Sequence, residues 1–251
     1  MSFLDWIYPP RCMACRTLFA PVHNEEPKYI CHNCEPLLVK VPDPRCTFCG
    51  YPTTAFSDSC ITCKDENFLF KSHRALFIYD GVLRELILDI KFRSRRRTAI
   101  GLGLIFAKAV QDWDFIKCDY LVPVPLHFSK KRSRGFNQAE VLAQPLAEAL
   151  DIPLACNMLK RVKKTAPQMG LSGPAREQNL FGAFIINPKR YEAGRRILLV
   201  DDIFTSGATM NACAKILLEN GAKEVHCLSL SFAVEEKLKE FLINTNTNED
   251  F

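Results

Sequence analysis

Residues 197–209 read Ile-Leu-Leu-Val-Asp-Asp-Ile-Phe-Thr-Ser-Gly-Ala-Thr. The four apolar residues Ile197 to Val200 predict a strand buried on both faces, the pattern of a parallel sheet. Asp201 and Asp202 are expected where that strand ends. Thr205, Ser206, Gly207, Ala208 and Thr209 then supply hydroxyls and a glycine ahead of an apolar-periodic helix marked by Ala212, Ile216 and Leu217. Small residues at a strand-to-helix turn let backbone N–H groups close around a phosphate, and the helix dipole favours the anion. Adjacent carboxylates suit hydrogen bonds to a vicinal diol, or water-mediated contact with magnesium. Phosphate, diol and magnesium together describe a ribose 5-phosphate.

The segment resembles the fingerprint of type I phosphoribosyltransferases, which bind phosphoribosyl pyrophosphate (PRPP). That resemblance implies that Asp201 and Asp202 hold the ribose and act in catalysis, while Thr205–Thr209 wrap the 5-phosphate. The plainer alternative is an ordinary strand-turn-helix with solvated acids and Thr205 as a helix cap.

A PRPP site must also hold the pyrophosphate and shield the reacting carbon from water. Residues 119–125, Asp-Tyr-Leu-Val-Pro-Val-Pro, predict a strand entering a stiff turn. Beyond Pro125 and Leu126 lie Lys130, Lys131, Arg132 and Arg134, which can neutralise a pyrophosphate, with Gly135 permitting close backbone approach. A solvated basic loop is the competing reading. Residues 160–184 are basic, polar and broken by Pro167, Gly170, Gly173 and Pro174, which predicts a long loop. A lid fits, with Arg161, Lys163, Gln168 and Arg176 as contacts, against a plain disordered insertion.

Strand-like and helix-like segments alternate from residue 74 to about 240, so the fold class is α/β with a mostly parallel sheet. The N-terminus lacks a basic region and breaks at prolines, unlike a signal peptide. No apolar run approaches a membrane span. Twelve cysteines without an export signal favour metal ligands over disulfides and a cytoplasmic protein.

Eight of those cysteines form four Cys-x-x-Cys knuckles: Cys12/Cys15, Cys31/Cys34, Cys46/Cys49 and Cys60/Cys63. Each knuckle points two sulfurs at one tetrahedral metal, and two knuckles complete a closed zinc site. The simplest pairing joins the first with the second and the third with the fourth, although spacing alone leaves crossed pairings open. Redox-active dithiols are the runner-up. Metal is expected to stabilise this front end, which has too little apolar sequence to fold alone. The formal net charge of +5 falls to roughly +1 once two four-thiolate zinc sites are counted, so nucleic-acid binding requires local patches.

The paired knuckles, Val122-Pro-Val-Pro125, Arg134-Gly-Phe-Asn-Gln138, the Gln168…Arg176…Asn179 spacing and Val200-Asp-Asp-Ile-Phe-Thr-Ser-Gly-Ala-Thr209 together resemble the competence protein F (ComF) family. Tyr79-Asp-Gly81 and Lys91-Phe-Arg93 also resemble a family motif. Membership implies a double zinc ribbon over residues 1–67, a phosphoribosyltransferase-like domain over 68–236 and a helix end and tail over 237–251. It also implies two structural zinc ions, magnesium with PRPP, and a bacterial cytoplasmic protein of natural transformation that handles incoming single-stranded DNA. A DNA-uptake helicase or recombination protein is the candidate protein partner. For the strand itself, Arg93, Arg95, Arg96 and Arg97 form the one basic run with no other assigned duty, and Phe92, Phe128 and Phe136 are placed to stack bases. Phe48, Tyr51 and Phe56 of the ribbons are further candidates. Three functions are thus open: a transferase with an unidentified acceptor, a DNA-uptake adaptor using the fold as a ligand sensor, and a nucleotide-responsive regulator.

Overall fold

The computed structural model describes residues 10–19, 29–64, 66–111, 113, 117–164 and 179–235. Its centre is a four-stranded, all-parallel sheet built from β1 (Ser72–Ile78), β2 (Tyr120–Pro123), β5 (Arg196–Phe204) and β6 (Glu224–Phe232), in the order β1-β6-β5-β2. Helices α1 (Gly81–Arg93), α2 (Arg96–Val110) and α4 (Gln138–Leu150) cover one face, and α5 (Ala208–Glu219) the other. A short α3 (Phe128–Arg134) follows β2. A separate antiparallel hairpin pairs β3 (Leu159–Arg161) with β4 (Phe184–Ile186).

Strand period explains why β5 reads as an unbroken apolar run. Leu198 and Val200 pack among the helices of the first face, while Ile197 and Leu199 pack with α5 on the second. The strand does not stop at Val200, however. It continues to Phe204, so Asp201 and Asp202 lie inside it, with Asp201 opposite Ser229 and Ile203 opposite Ser231. Pairing with the long β6 carries the ladder past the point where the apolar sequence ends. Likewise, residues 160–184 are not loop throughout, since β3 and β4 clasp the two ends of that stretch. The basic run after Pro125 is helical: His127 caps α3 by accepting from the Ser129 amide.

The cysteine-rich front end is built into this frame. Val41 N–H donates to Leu76 O at 2.9 Å and Ile78 N–H to Val39 O at 2.8 Å, adding residues 39–41 antiparallel to β1. Met13, Ile30 and Leu38 join the core beneath α1 and α2, while Phe48, Tyr51 and Phe68 join the core on the α5 side. No helix among the described residues is long and apolar enough to cross a membrane. Residues 237–251 lie outside those described.

Candidate functional site

The acidic pair and the hydroxyl-rich turn converge at the C-terminal end of the sheet, where open α/β sheets bind ligands. Asp202 is buried and ion-paired with Lys91 of α1, Nζ to Oδ2 at 2.8 Å. Burial alone would raise its carboxyl, but the Lys91 ammonium outweighs that and holds it below the usual range. Asp201 is driven the other way, well above the usual range, by burial and by the charge of Asp202 beside it. The local backbone is fixed: Asp202 N–H donates to Asp201 Oδ1 at 2.8 Å, and Ser231 Oγ donates to Asp202 O at 2.9 Å.

Thr205 to Thr209 turn directly into α5. Gly207 is the residue before the helix and adopts φ +72°, the left-handed region that favours glycine. A Cβ there would lie 2.7 Å from both Phe204 Cζ and Phe68 Cε1, so the turn is seated on two aromatic rings. No side chain caps α5, and Ser206 Oγ is buried without a hydrogen-bond partner among the described residues. An oriented helix end and an orphaned hydroxyl are the two things a phosphate oxygen would satisfy.

Opposite the acids stands a group of cations. Lys130, Arg161, Arg134, Lys91 and Lys164 lie close enough that, after burial, their mutual repulsion lowers the Lys130 pKa. Arg134 Nε donates to Lys91 O at 3.2 Å and its Nη1 to the buried Gln138 Oε1. Asn137 Nδ2 donates to Val124 O at 3.0 Å while its Oδ1 caps α4. The Arg-Gly-Phe-Asn-Gln stretch therefore ties α3 and α4 to the strand end holding Pro125 and Leu126. Lys131 is not turned to this group: it pairs with Glu140 at 2.8 Å. Arg132 is exposed. Arg161 closes β3 with its guanidinium 5.3 Å over Phe184, and Lys163 Nζ donates to Phe181 O at 3.5 Å. Gln168 and Arg176 lie outside the described residues. Lys91 and Gln138 are the site residues that sequence reasoning missed.

The reading of Arg93–Arg97 as cations without other duty needs correction. Arg93 and Arg95 both pair with Asp89, at 2.5 and 3.3 Å, and Arg16 of the first knuckle joins them at 2.9 Å. A buried carboxylate with three arginines is a structural hub. Arg96 and Arg97 begin α2 and are exposed. Among the aromatics, Phe92, Phe128 and Phe56 are exposed, whereas Phe136 packs against the core. Phe48 stacks on Phe68 and Phe70, and Tyr51 packs edge-on against Phe232. Phe48 and Tyr51 are structural, since they join the second ribbon to the core of the sheet.

The eight knuckle sulfurs fall into two sets, Cys12/Cys15/Cys31/Cys34 and Cys46/Cys49/Cys60/Cys63, with all ligand atoms of a set within 4.8 Å of one another. This is the uncrossed pairing. The Cys15–Cys31, Cys46–Cys63 and Cys60–Cys63 sulfurs are 3.7 Å apart and Cys49–Cys60 3.5 Å. Tetrahedral zinc with Zn–S of about 2.3 Å requires S···S of about 3.8 Å, so both sets fit zinc.

Comparison with known proteins agrees with this geometry. A family model described as "Phosphoribosyl transferase domain" matches residues 137–241, and one described as "Double zinc ribbon domain" matches 3–66. "Competence protein F" of Haemophilus influenzae is 32% identical over 238 residues, covering 93% of this chain and 100% of that protein. "Competence protein ComFC" of Bacillus subtilis is 28% identical, covering 82% of this chain and 83% of that one. "DNA utilization protein YhgH" of Escherichia coli is 31% identical, covering 88% and 96%.

Proposed function

We infer that this chain, which belongs to the competence protein F family, is a PRPP-binding protein that acts in the cytoplasm during DNA uptake, on incoming single-stranded DNA. The observation that carries the ligand is the acidic pair, with Asp202 buried, set beside an uncapped helix start, with Ser206 Oγ left unpartnered among the described residues. Thr205, Ser206, Gly207, Ala208 and Thr209 would close on the 5-phosphate, and Asp201 and Asp202 on the ribose hydroxyls. Lys130, Arg132 and Arg134, on the helix beyond Pro125 and Leu126, would receive the pyrophosphate. Lys131 would contribute only by leaving Glu140.

Magnesium fits the acids for a definite reason. Asp201 is pushed toward its protonated form by burial and by the neighbouring Asp202 charge, and a divalent cation would relieve that repulsion and favour the ionised pair. Bound with PRPP, it would supply charge neutralisation for the pyrophosphate. The chain's own residues would position the ribose carbon between the acidic pair, which suits an electron-poor centre, and the cations, which suit the departing group. Arg161, Lys163, Gln168 and Arg176, in or between β3 and β4 in sequence, would shield that carbon.

Single-stranded DNA would contact Arg96 and Arg97 with the exposed Phe92. The DNA assignment is supported by the names of the relatives, and a DNA-uptake helicase or recombination protein is the partner class it implies. The test is the Asp201→Asn/Asp202→Asn protein, assayed for PRPP binding with magnesium and for zinc content together. Loss of PRPP binding with zinc retained is the expected result. Undiminished affinity would refute the site.

A further inference from the structure

A second cavity lies at the opposite, N-terminal rim of the sheet, away from the acidic pair. It has a volume of about 440 Å³ and is lined by Arg45, Thr47, Phe56, Ser72, Arg74, Trp113, Cys118, Leu198, His226 and Cys227. Ser72, His226 and Leu198 form one row across β1, β6 and β5, so the floor is rigid. The third and fourth knuckles supply the outer wall through Arg45, Thr47 and Phe56. Volumes of about 300–1,000 Å³ are usual for small-ligand sites.

Three features of this cavity point to an anion. Among the described residues no acidic side chain lines it, and Glu224, 3.8 Å from His226 Nε2, is shared with Arg196 at 3.4 Å. Arg74 is about half buried yet has no carboxylate partner among the described residues; its Nη1 donates to Thr47 O and His73 O only. Burial and the nearby Arg45 disfavour its charged form, and Cys46, Cys49 and Asp43 offset them only in part. The third is His226, which is nine-tenths buried: its Nδ1 is 2.8 Å from Ser72 Oγ, but its Nε2 has no hydrogen-bond partner, with Glu224 3.8 Å away. Two further features point to a planar ring on that anion. Trp113, with the Arg45 guanidinium 5.7 Å from its ring, lines the cavity, and so does Phe56, which is 66% exposed.

We propose that this cavity binds a nucleoside 5′-monophosphate, free or at the end of a strand, with the phosphate held by Arg74 and His226 and the base stacked on Trp113 or Phe56. The burial of Cys118 and Cys227 raises both thiols, so they contribute shape and not reactivity. The proposal stands apart from the PRPP reading, because it shares no residue with it.

The experiment titrates AMP and inorganic phosphate into the Asp201→Asn/Asp202→Asn protein by calorimetry, which removes the ribose contacts of the first site, and the Arg74 and Trp113 variants in that background assign the binding to this cavity. AMP should bind saturably and more tightly than phosphate. Arg74→Met should weaken both by about tenfold or more, and Trp113→Leu should weaken AMP about tenfold while sparing phosphate. Should Arg74→Met fail to fold, as judged by circular dichroism and zinc content, Trp113→Leu decides alone. A 5′-phosphorylated oligonucleotide that competes with AMP assigns the pocket to strand ends, and one that does not assigns it to free nucleotide. Absence of AMP binding, AMP no tighter than phosphate, or affinity unchanged by Trp113→Leu would each overturn the proposal.

Discussion

The two zinc ribbons share a cysteine pattern but stand in different relations to the ligand site. The first, around Cys12, Cys15, Cys31 and Cys34, leaves Cys15 exposed and packs beneath α1 and α2. Its polar link to the body is Arg16 to Asp89. In the second, all four cysteines, Cys46, Cys49, Cys60 and Cys63, are buried. Cys49 O hydrogen-bonds His73 Nδ1 at 2.8 Å, and His73 Nε2 meets Ser229 Oγ at 2.9 Å. Ser229 then donates to Ser231 O, and Ser231 to Asp202 O. The His73 ring stacks on Phe204 at 3.8 Å, and Phe204 with Phe68 forms the seat under Gly207. Asn211 of α5 is held by Leu69 N–H and Asn67 O in the segment leaving the last knuckle. One ribbon braces helices; the other is the foundation of the phosphate turn. Similar local sequence thus acquires a different role from what it is packed against.

Disrupting the metal sets separately breaks or keeps that contrast most sharply. Cys49→Ser should release the second zinc and weaken PRPP binding by about 100-fold or more, since structural zinc carries on the order of 10 kcal/mol of folding free energy. Cys15→Ser should lower zinc content by one site yet leave PRPP affinity within about threefold, because the described residues of its ribbon pack beneath α1 and α2 and not against the turn. Equal losses in both variants, measured by calorimetry alongside zinc content, would abolish the distinction.

Smaller changes sharpen it. Gly207→Ala places a methyl against Phe204 and Phe68 at a positive φ, and should cost about 2 kcal/mol and weaken PRPP binding at least tenfold. His73→Phe keeps the stack but leaves Cys49 O and Ser229 Oγ without their imidazole partner. A loss of about 1–3 kcal/mol in chemical denaturation, with a severalfold weaker PRPP affinity, is the expected outcome. At the small end, Arg16→Ala on the first ribbon should cost about 1 kcal/mol or less, since Asp89 retains Arg93 and Arg95.

What the sequence disclosed was local. The strand, the acidic pair and the turn at 205–209 are contiguous, so their joint chemistry is legible without any tertiary knowledge. Knuckle spacing disclosed metal ligation in the same way. What it concealed depends on distant partners. Nothing near Lys91 indicates that its ammonium meets Asp202, more than a hundred positions later, and nothing near Asp89 announces that Arg16 joins it. The pairing of Asp89 with Arg93 is by contrast a local i,i+4 contact that the sequence did offer. The continuation of β5 through both acids was hidden because pairing with β6, not the polar sequence itself, sustains the ladder.

The account rests on a live phosphoribosyl site, and calorimetric titration of the zinc-loaded protein with PRPP and magnesium addresses it directly. Saturable binding at one site per chain is predicted, lost when Asp201 and Asp202 are replaced by Asn. A flat titration of the intact, zinc-loaded protein would contradict it.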